Sequence, residues 1–130
     1  MNKEELIKYW LEASEIDYKA MNNLFESKDY VWSLFIGHLV IEKLLKALIV
    51  KRDQEVVPKI HNLNKLADVA LLKLDEVQKN LLDVITSFNI EARYPDYKNE
   101  FYKKCDYKFT SEHINQIKEL RLWLLEQVKK

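Results

Sequence analysis

From Lys3 to about Glu26 the apolar residues Leu6, Tyr9, Trp10, Ala13, Ile16, Ala20, Met21 and Leu24 recur at steps of three and four. That spacing predicts a long amphipathic helix with one wide apolar stripe. Ser27-Lys28-Asp29 reads as a polar turn, with Asp29 placed as an N-cap. A second helix is predicted from about Tyr30 to Arg52. It is apolar nearly all round through its first half, which marks it as the central helix. Asp53 to Asn62 forms a loop holding Pro58 and the strand-like pair Val56-Val57. A third helix is predicted from Leu63 to Lys73, with Leu63, Leu66, Ala67, Ala70 and Leu71 inward. Asp75 then caps a fourth, carrying Val77, Leu81, Leu82, Ile85 and Phe88 inward. Pro95 disfavours helical geometry at the residue before it, so this helix should fray between Phe88 and Tyr94. Thr110-Ser111-Glu112-His113 reads as the capping cluster of a last helix, with Ile114, Ile117, Leu120, Leu124 and Val128 inward. The pattern predicts an all-α, up-and-down bundle of four or five helices, a single domain over residues 1–130, with one extended excursion near residue 100.

Composition narrows the function classes. One glycine and two prolines are too few for a turn-rich β fold, and a lone glycine excludes glycine-rich phosphate loops. Lysine plus arginine and aspartate plus glutamate both number 21, so a nucleic-acid surface would have to be a local patch. The longest uncharged apolar run, Tyr30 to Ile41, falls well short of the roughly twenty residues of a membrane span. The charged start Met-Asn-Lys-Glu-Glu is no opening for a signal sequence. Cys105 stands alone, as suits a reducing compartment. We therefore expect a cytoplasmic protein without a membrane segment. Three scattered histidines and one cysteine lack the close pairs of a zinc site, so neither a metal nor a cofactor is expected.

Several side chains invite chemistry, and each carries a plainer alternative. Arg93, before a proline and beside Tyr94 and Tyr97, suits a bidentate grip on phosphate; it would equally tie a helix end to an internal acid, Asp17 or Glu42. Those two acids lie on apolar stripes, where a carboxylate needs a partner. They serve either as a general base and its partner or as members of a buried polar network with arginine or lysine, in which His61 is also placed. His38, four residues before Glu42, meets it on one helix face. The two form an acid–base pair with a raised imidazole pKa, or His38 is a satisfied core histidine. His61 either caps the third helix or lines a pocket mouth. Cys105 lies among lysines, which lower a thiol's pKa, but has no base nearby and reads as incidental.

The segment RYPDYKNEFYKKCDYK, residues 93–108, interleaves Arg93, Lys98, Lys103, Lys104 and Lys108 with Tyr94, Tyr97, Phe101, Tyr102 and Tyr107. Cations among aromatics suit single-stranded RNA or a nucleotide. They also suit a loop pinned to the bundle by its aromatics, or a protein interface.

The chain resembles the HEPN family over roughly residues 10 to 96. Trp10-x-x-x-Ser14 through Asp17-Tyr18-x-Ala20 is similar to the family's first helix. His38-Leu39-Val40-Ile41-Glu42-Lys43-x-x-Lys46-Ala47 resembles a pattern of the type HQAIEKxxKA, with Leu39 where glutamine is usual. Ile60-His61-Asn62-Leu63 resembles a THxL step, and Ala92-Arg93-Tyr94-Pro95-Asp96 closes the match. The resemblance implies a helical bundle, a homodimer, and a nucleotidyltransferase partner in a toxin–antitoxin-like pair. It implies RNA or nucleotide binding through Arg93, Tyr94, Tyr97, Lys98, Lys103 and Lys104. Active members resemble metal-independent ribonucleases that use an arginine followed a short step later by histidine. With Arg93 as that arginine, the histidine position falls on Lys98, Asn99 or Glu100. A ribonuclease built here would need His38, Glu42 or a residue of the second subunit to stand in. The alternative is a non-catalytic interaction and dimerisation module.

Overall fold

The computed structural model describes residues 1–53 and 56–130. They form six α-helices: α1 (Lys3–Glu26), α2 (Tyr30–Lys51), α3 (Leu63–Val69), α4 (Glu76–Arg93), α5 (Glu100–Lys104) and α6 (Tyr107–Lys129). There is no strand among the described residues, and no helix among them is long and apolar enough to cross a membrane. The all-α bundle holds, with a short α5 inside the segment expected to be extended.

The helix α2 is the hub, packing against α1, α3, α4 and α6. Leu34, Val40, Ile41, Leu44, Leu45, Leu48 and Ile49 are all wholly or almost wholly buried along it, as its unbroken apolar run requires. Small residues let its neighbours come close. Ser14 Oγ donates to the Val40 carbonyl at 2.9 Å and Ser33 Oγ to the Met21 carbonyl at 2.9 Å, tying α1 to α2. A Cβ on Gly37 would stand 2.7 Å from Ile117 Cδ1 and 3.3 Å from Met21 Sδ. The chain's one glycine thus marks where α1, α2 and α6 converge.

Several boundaries differ from the periodicity reading. In α1 the inward stripe runs through Leu11, Ser14, Tyr18, Met21 and Phe25, while Tyr9 and Ile16 face out. The Asp29 side chain takes a hydrogen bond from Ser27 Oγ at 2.6 Å and caps nothing. The third helix stops at Val69, and Leu71 is exposed with φ 58°. Its N–H bonds to the Asp68 carbonyl and that of Leu72 to the Ala67 carbonyl, a Schellman ending with leucine where glycine is usual. Lys28 closes α1 in the same way with φ 66°. Helix α4 does not fray: Phe88, Asn89 and Ala92 are buried and hold it helical to Arg93, and only Tyr94, next to Pro95, leaves that geometry. Val77, in its first turn, is exposed. Helix α6 starts before Thr110, with the Asp106 side chain accepting from the Phe109 N–H at 2.8 Å. Asp106 followed by aromatics outcompetes Thr110-Ser111, and Thr110 is buried inside the helix.

A left-handed backbone costs a Cβ-bearing residue roughly 1–2 kcal/mol, part of which glycine returns through its looser unfolded chain. Leu71→Gly should therefore raise stability by roughly 0.5–1 kcal/mol, read as a higher urea midpoint with an unchanged slope.

Candidate functional site

The side chains that matter stand on one stripe of α2. His38, Glu42 and Lys46 are spaced four apart, so they stack along a single face. Glu42 is only 4% exposed, and a carboxylate so enclosed must be compensated. Its Oε1 accepts a 2.7 Å hydrogen bond from His61 Nδ1, and its Oε2 lies 3.3 Å from Lys46 Nζ. Lys46 in turn sits over the Trp10 ring, 5.3 Å from its centre.

His61 reaches Glu42 because the loop before α3 is pinned at both ends of a short step. Asn62, not His61, caps α3, its side chain accepting from the Lys65 N–H at 3.0 Å. The Leu63 N–H, one of the donors a helix start leaves open, is taken by Thr86 Oγ1 of α4 at 3.1 Å. Beneath the loop, His38 Nε2 donates to the His61 carbonyl at 2.9 Å. Donation to a carbonyl fixes the tautomer, with the hydrogen on Nε2. The opposite nitrogen, Nδ1, is buried without a hydrogen-bond partner among the described residues.

His38 is wholly enclosed. Its pKa lies below the ordinary 6.5, first through burial and further through the charges of His61 and Arg93. The bond to the His61 carbonyl and the Glu42 carboxylate pull the other way and lose. At 3.9 Å the Nε2–Oε1 separation is too long for a hydrogen bond. The raised imidazole pKa expected from the four-residue spacing is thus reversed, since the spacing says nothing of enclosure. Neither His38 nor Glu42 can touch a ligand directly, whereas the His61 side chain is 52% exposed. With Nδ1 held inward by Glu42, its Nε2 is the ring nitrogen left for solvent.

The other predicted residues lie elsewhere. Asp17 takes Lys43 at 2.5 Å, a pair separate from the Glu42 cluster. Arg93 is exposed at the end of α4, where its Nε donates to the Asn89 carbonyl at 3.1 Å and its guanidinium lies over Tyr94, 5.3 Å from the ring centre. It joins neither acid, but its charge reaches His38. Tyr94, Tyr97 and Tyr102 are 68, 90 and 72% exposed and do not pin the segment to the bundle, whereas Tyr107 packs against Phe25 at 5.7 Å and Tyr30 at 6.5 Å. Phe101 pins it as well, against Phe88 at 5.8 Å. Lys98 sits over Tyr97, and Lys103 and Lys104 lie exposed on α5. A cleft of about 300 Å³ opens between this segment and the start of α2, lined by Lys28, Asp29, Tyr30, Trp32, Glu91 and Tyr102 among others. A larger groove, about 540 Å³, runs along α4 and α6 past Val77, Leu81, His113, Glu119 and Trp123.

Cys105 is buried and its thiol is pushed up to about 12, by burial first and by Glu91 next, which overrides Lys104. It is no nucleophile in this setting. No group of three or more His, Cys, Asp or Glu side chains among the described residues is arranged to hold a metal ion. Periodicity passed over Lys46 and Trp10 as site members, although the His38-Glu42-Lys46 spacing carried the signal for the lysine.

The model of the HEPN domain matches residues 7–128. The chain belongs to the HEPN domain family, which makes it a nucleotide- or RNA-related helical module of a kind that often dimerises. No curated protein and no solved structure matches it significantly.

Because the folded state resists protonating His38 and the unfolded chain does not, protons bind the unfolded state preferentially below 6.5. Stability should hold above that pH and fall as pH drops from 6.5 toward the depressed folded value. His38→Gln, which keeps a donor for the His61 carbonyl but does not titrate, should flatten the decline in urea midpoints between pH 7.5 and 5.5. Most carboxylates have yet to titrate in that window.

Proposed function

We propose that this HEPN domain binds single-stranded RNA or a nucleotide through Arg93 and the tyrosine–lysine surface of residues 93–108. It does so as a homodimer that works beside a nucleotidyltransferase partner in a toxin–antitoxin-like pair. The observation that carries the binding reading is the exposure of Tyr94, Tyr97 and Tyr102 among the cations Arg93, Lys98, Lys103 and Lys104. Rings that merely anchor a loop are buried, as Phe101 is. Exposed rings beside ammonium and guanidinium groups offer bases a stacking platform and phosphates a counter-charge. Arg93 is suited to the phosphate because its planar fork is always charged and pairs bidentately. The dimer and the nucleotidyltransferase follow from the family and not from any contact in this chain.

The same exposed tyrosines would serve a protein partner, since tyrosine and arginine are frequent interface anchors. Salt separates the two readings. Anisotropy titration of a fluorescent oligoribonucleotide should give an affinity that declines with added salt. Arg93→Ala should weaken it about tenfold, and Tyr97→Ala should cost about 1 kcal/mol or more, as loss of a stacked base does. Binding indifferent to both substitutions and to salt, with a changed oligomeric state on light scattering, would instead mark a protein-interaction module.

A further inference from the structure

Three pieces of chain meet at the cleft of about 300 Å³: the start of α2, the last turn of α4 and the segment leading into α5. Asp96 turns that segment back, its carbonyl accepting from the Asn99 N–H at 3.0 Å and its Oδ1 from the Glu100 N–H at 2.9 Å. Phe101 then anchors on Phe88, and the next residue, Tyr102, lines the cleft largely exposed. Trp32 lines it from the first turn of α2 and is 48% exposed, steadied by a T-shaped contact with Phe35 at 5.7 Å. Large rings held in place but left open to a cleft offer faces on which a flat ligand stacks.

The polar groups of the cleft decide which flat ligand. Asp29 and Glu91 both line it, which keeps a phosphate out and suits a group that donates hydrogen bonds. Lys28 stands at the same cleft, so a cation is already supplied and what the carboxylates lack is a donor. Asp29 has spent its Oδ2 on Ser27 Oγ at 2.6 Å. Glu91 makes no hydrogen bond and no ion pair among the described residues, so both its oxygens are free. A free carboxylate presents two acceptors side by side. Among the RNA bases only guanine answers with two adjacent donors, N1–H and the N2 amino group. Adenine and cytosine set an amino group beside a bare ring nitrogen, whose lone pair would face the second oxygen. Uracil sets its N3–H between two carbonyls. The volume lies at the low end of the roughly 300–1,000 Å³ of small-molecule sites, room for one base and not for a duplex.

Resting on the RNA-binding reading above, we propose that this cleft is a guanine pocket. Trp32 and Tyr102 supply the ring faces, and the Glu91 carboxylate accepts from N1–H and the N2 amino group. Pro95 lines the cleft two residues after Arg93, so a strand held by its phosphate at Arg93 turns one unpaired base into it. The tyrosine–lysine surface takes any sequence, and the cleft adds a preference read on the base edge.

The test titrates the full chain, by anisotropy, into a labelled oligouridine and the same strand with one central guanosine, inosine, adenosine or cytidine. The guanosine strand should bind roughly tenfold more tightly than the others, as a bidentate base contact gives. Inosine keeps N1–H but lacks the amino group, and should lose most of that gain. Glu91→Gln should erase the guanosine preference and leave the oligouridine affinity unchanged. Glu91 is exposed, so this variant should fold, with an unchanged urea midpoint as the check. Trp32→Ala should bring the guanosine strand down to the oligouridine affinity. Equal binding of all the strands would overturn the pocket and leave the RNA-binding reading standing. Guanosine and adenosine monophosphates, followed by calorimetry, separate the two sources of the base. Binding of the guanosine nucleotide alone, with no strand bound, would keep the pocket and confine the reading above to a free nucleotide. Absence of binding by strands and mononucleotides alike would remove both. A guanosine preference that survives Glu91→Gln and Trp32→Ala would also overturn the pocket.

Discussion

The buried carboxylate of Glu42 is the constraint around which the rest is arranged. It lies on the helix that touches most of the others, between the buried pairs Val40-Ile41 and Leu44-Leu45. Enclosing a lone carboxylate there would cost several kcal/mol, and removing one partner from such a pair is a loss on the order of 3–5 kcal/mol. Two partners answer it, each from a different direction. Lys46 comes from the next turn of the same helix and brings Trp10 of α1 with it. His61 comes from the loop ahead of α3, and with His38 below it fastens that loop to the helix. One charge therefore ties together three parts of the chain that apolar packing alone would leave free to slide.

The second consequence is a division between what is enclosed and what is offered. The polar atoms of His38 and Glu42 are spent inward, leaving the His61 edge, the Arg93 guanidinium and the tyrosines of the following segment outward. Arg93 connects the two regions, since it begins the aromatic segment and its charge is also felt at His38. A phosphate held at Arg93 would lie within the influence of the α2 cluster while its flanking bases met Tyr94 and Tyr97. The net neutrality of the chain makes such a patch a local feature and not a property of the whole surface.

Much of this fold was legible in the sequence because burial imposes periodicity. The unbroken apolar run of α2 and the capping signal at Asp75 led to the right elements. The errors have one main source. With a single glycine, helix ends cannot announce themselves by the usual residue, and Lys28 and Leu71 adopt the left-handed conformation instead. Leu71 consequently looked like a core position. Pro95 suggested a frayed α4, whereas buried Phe88, Asn89 and Ala92 outweighed it. In the site, the spacing of His38 and Glu42 was visible, but their depth was not, and depth is what reverses the direction of the His38 pKa. The meeting of His61 with Glu42 depends on the path of the intervening loop, which no local pattern encodes.

The central claim is that Glu42 holds His61 by Nδ1 and that His38 stays neutral beneath it. Long-range nitrogen–proton correlation spectra of uniformly nitrogen-15-labelled protein report the tautomer of each imidazole directly. At pH 7, above the ordinary 6.5 from which burial lowers it, the account predicts His38 as the neutral Nε2–H form, and His61, whenever it is neutral, as the Nδ1–H form, with the latter preference lost in Glu42→Gln. A protonated His38 at that pH, or a His61 whose neutral form carries its hydrogen on Nε2, would contradict it.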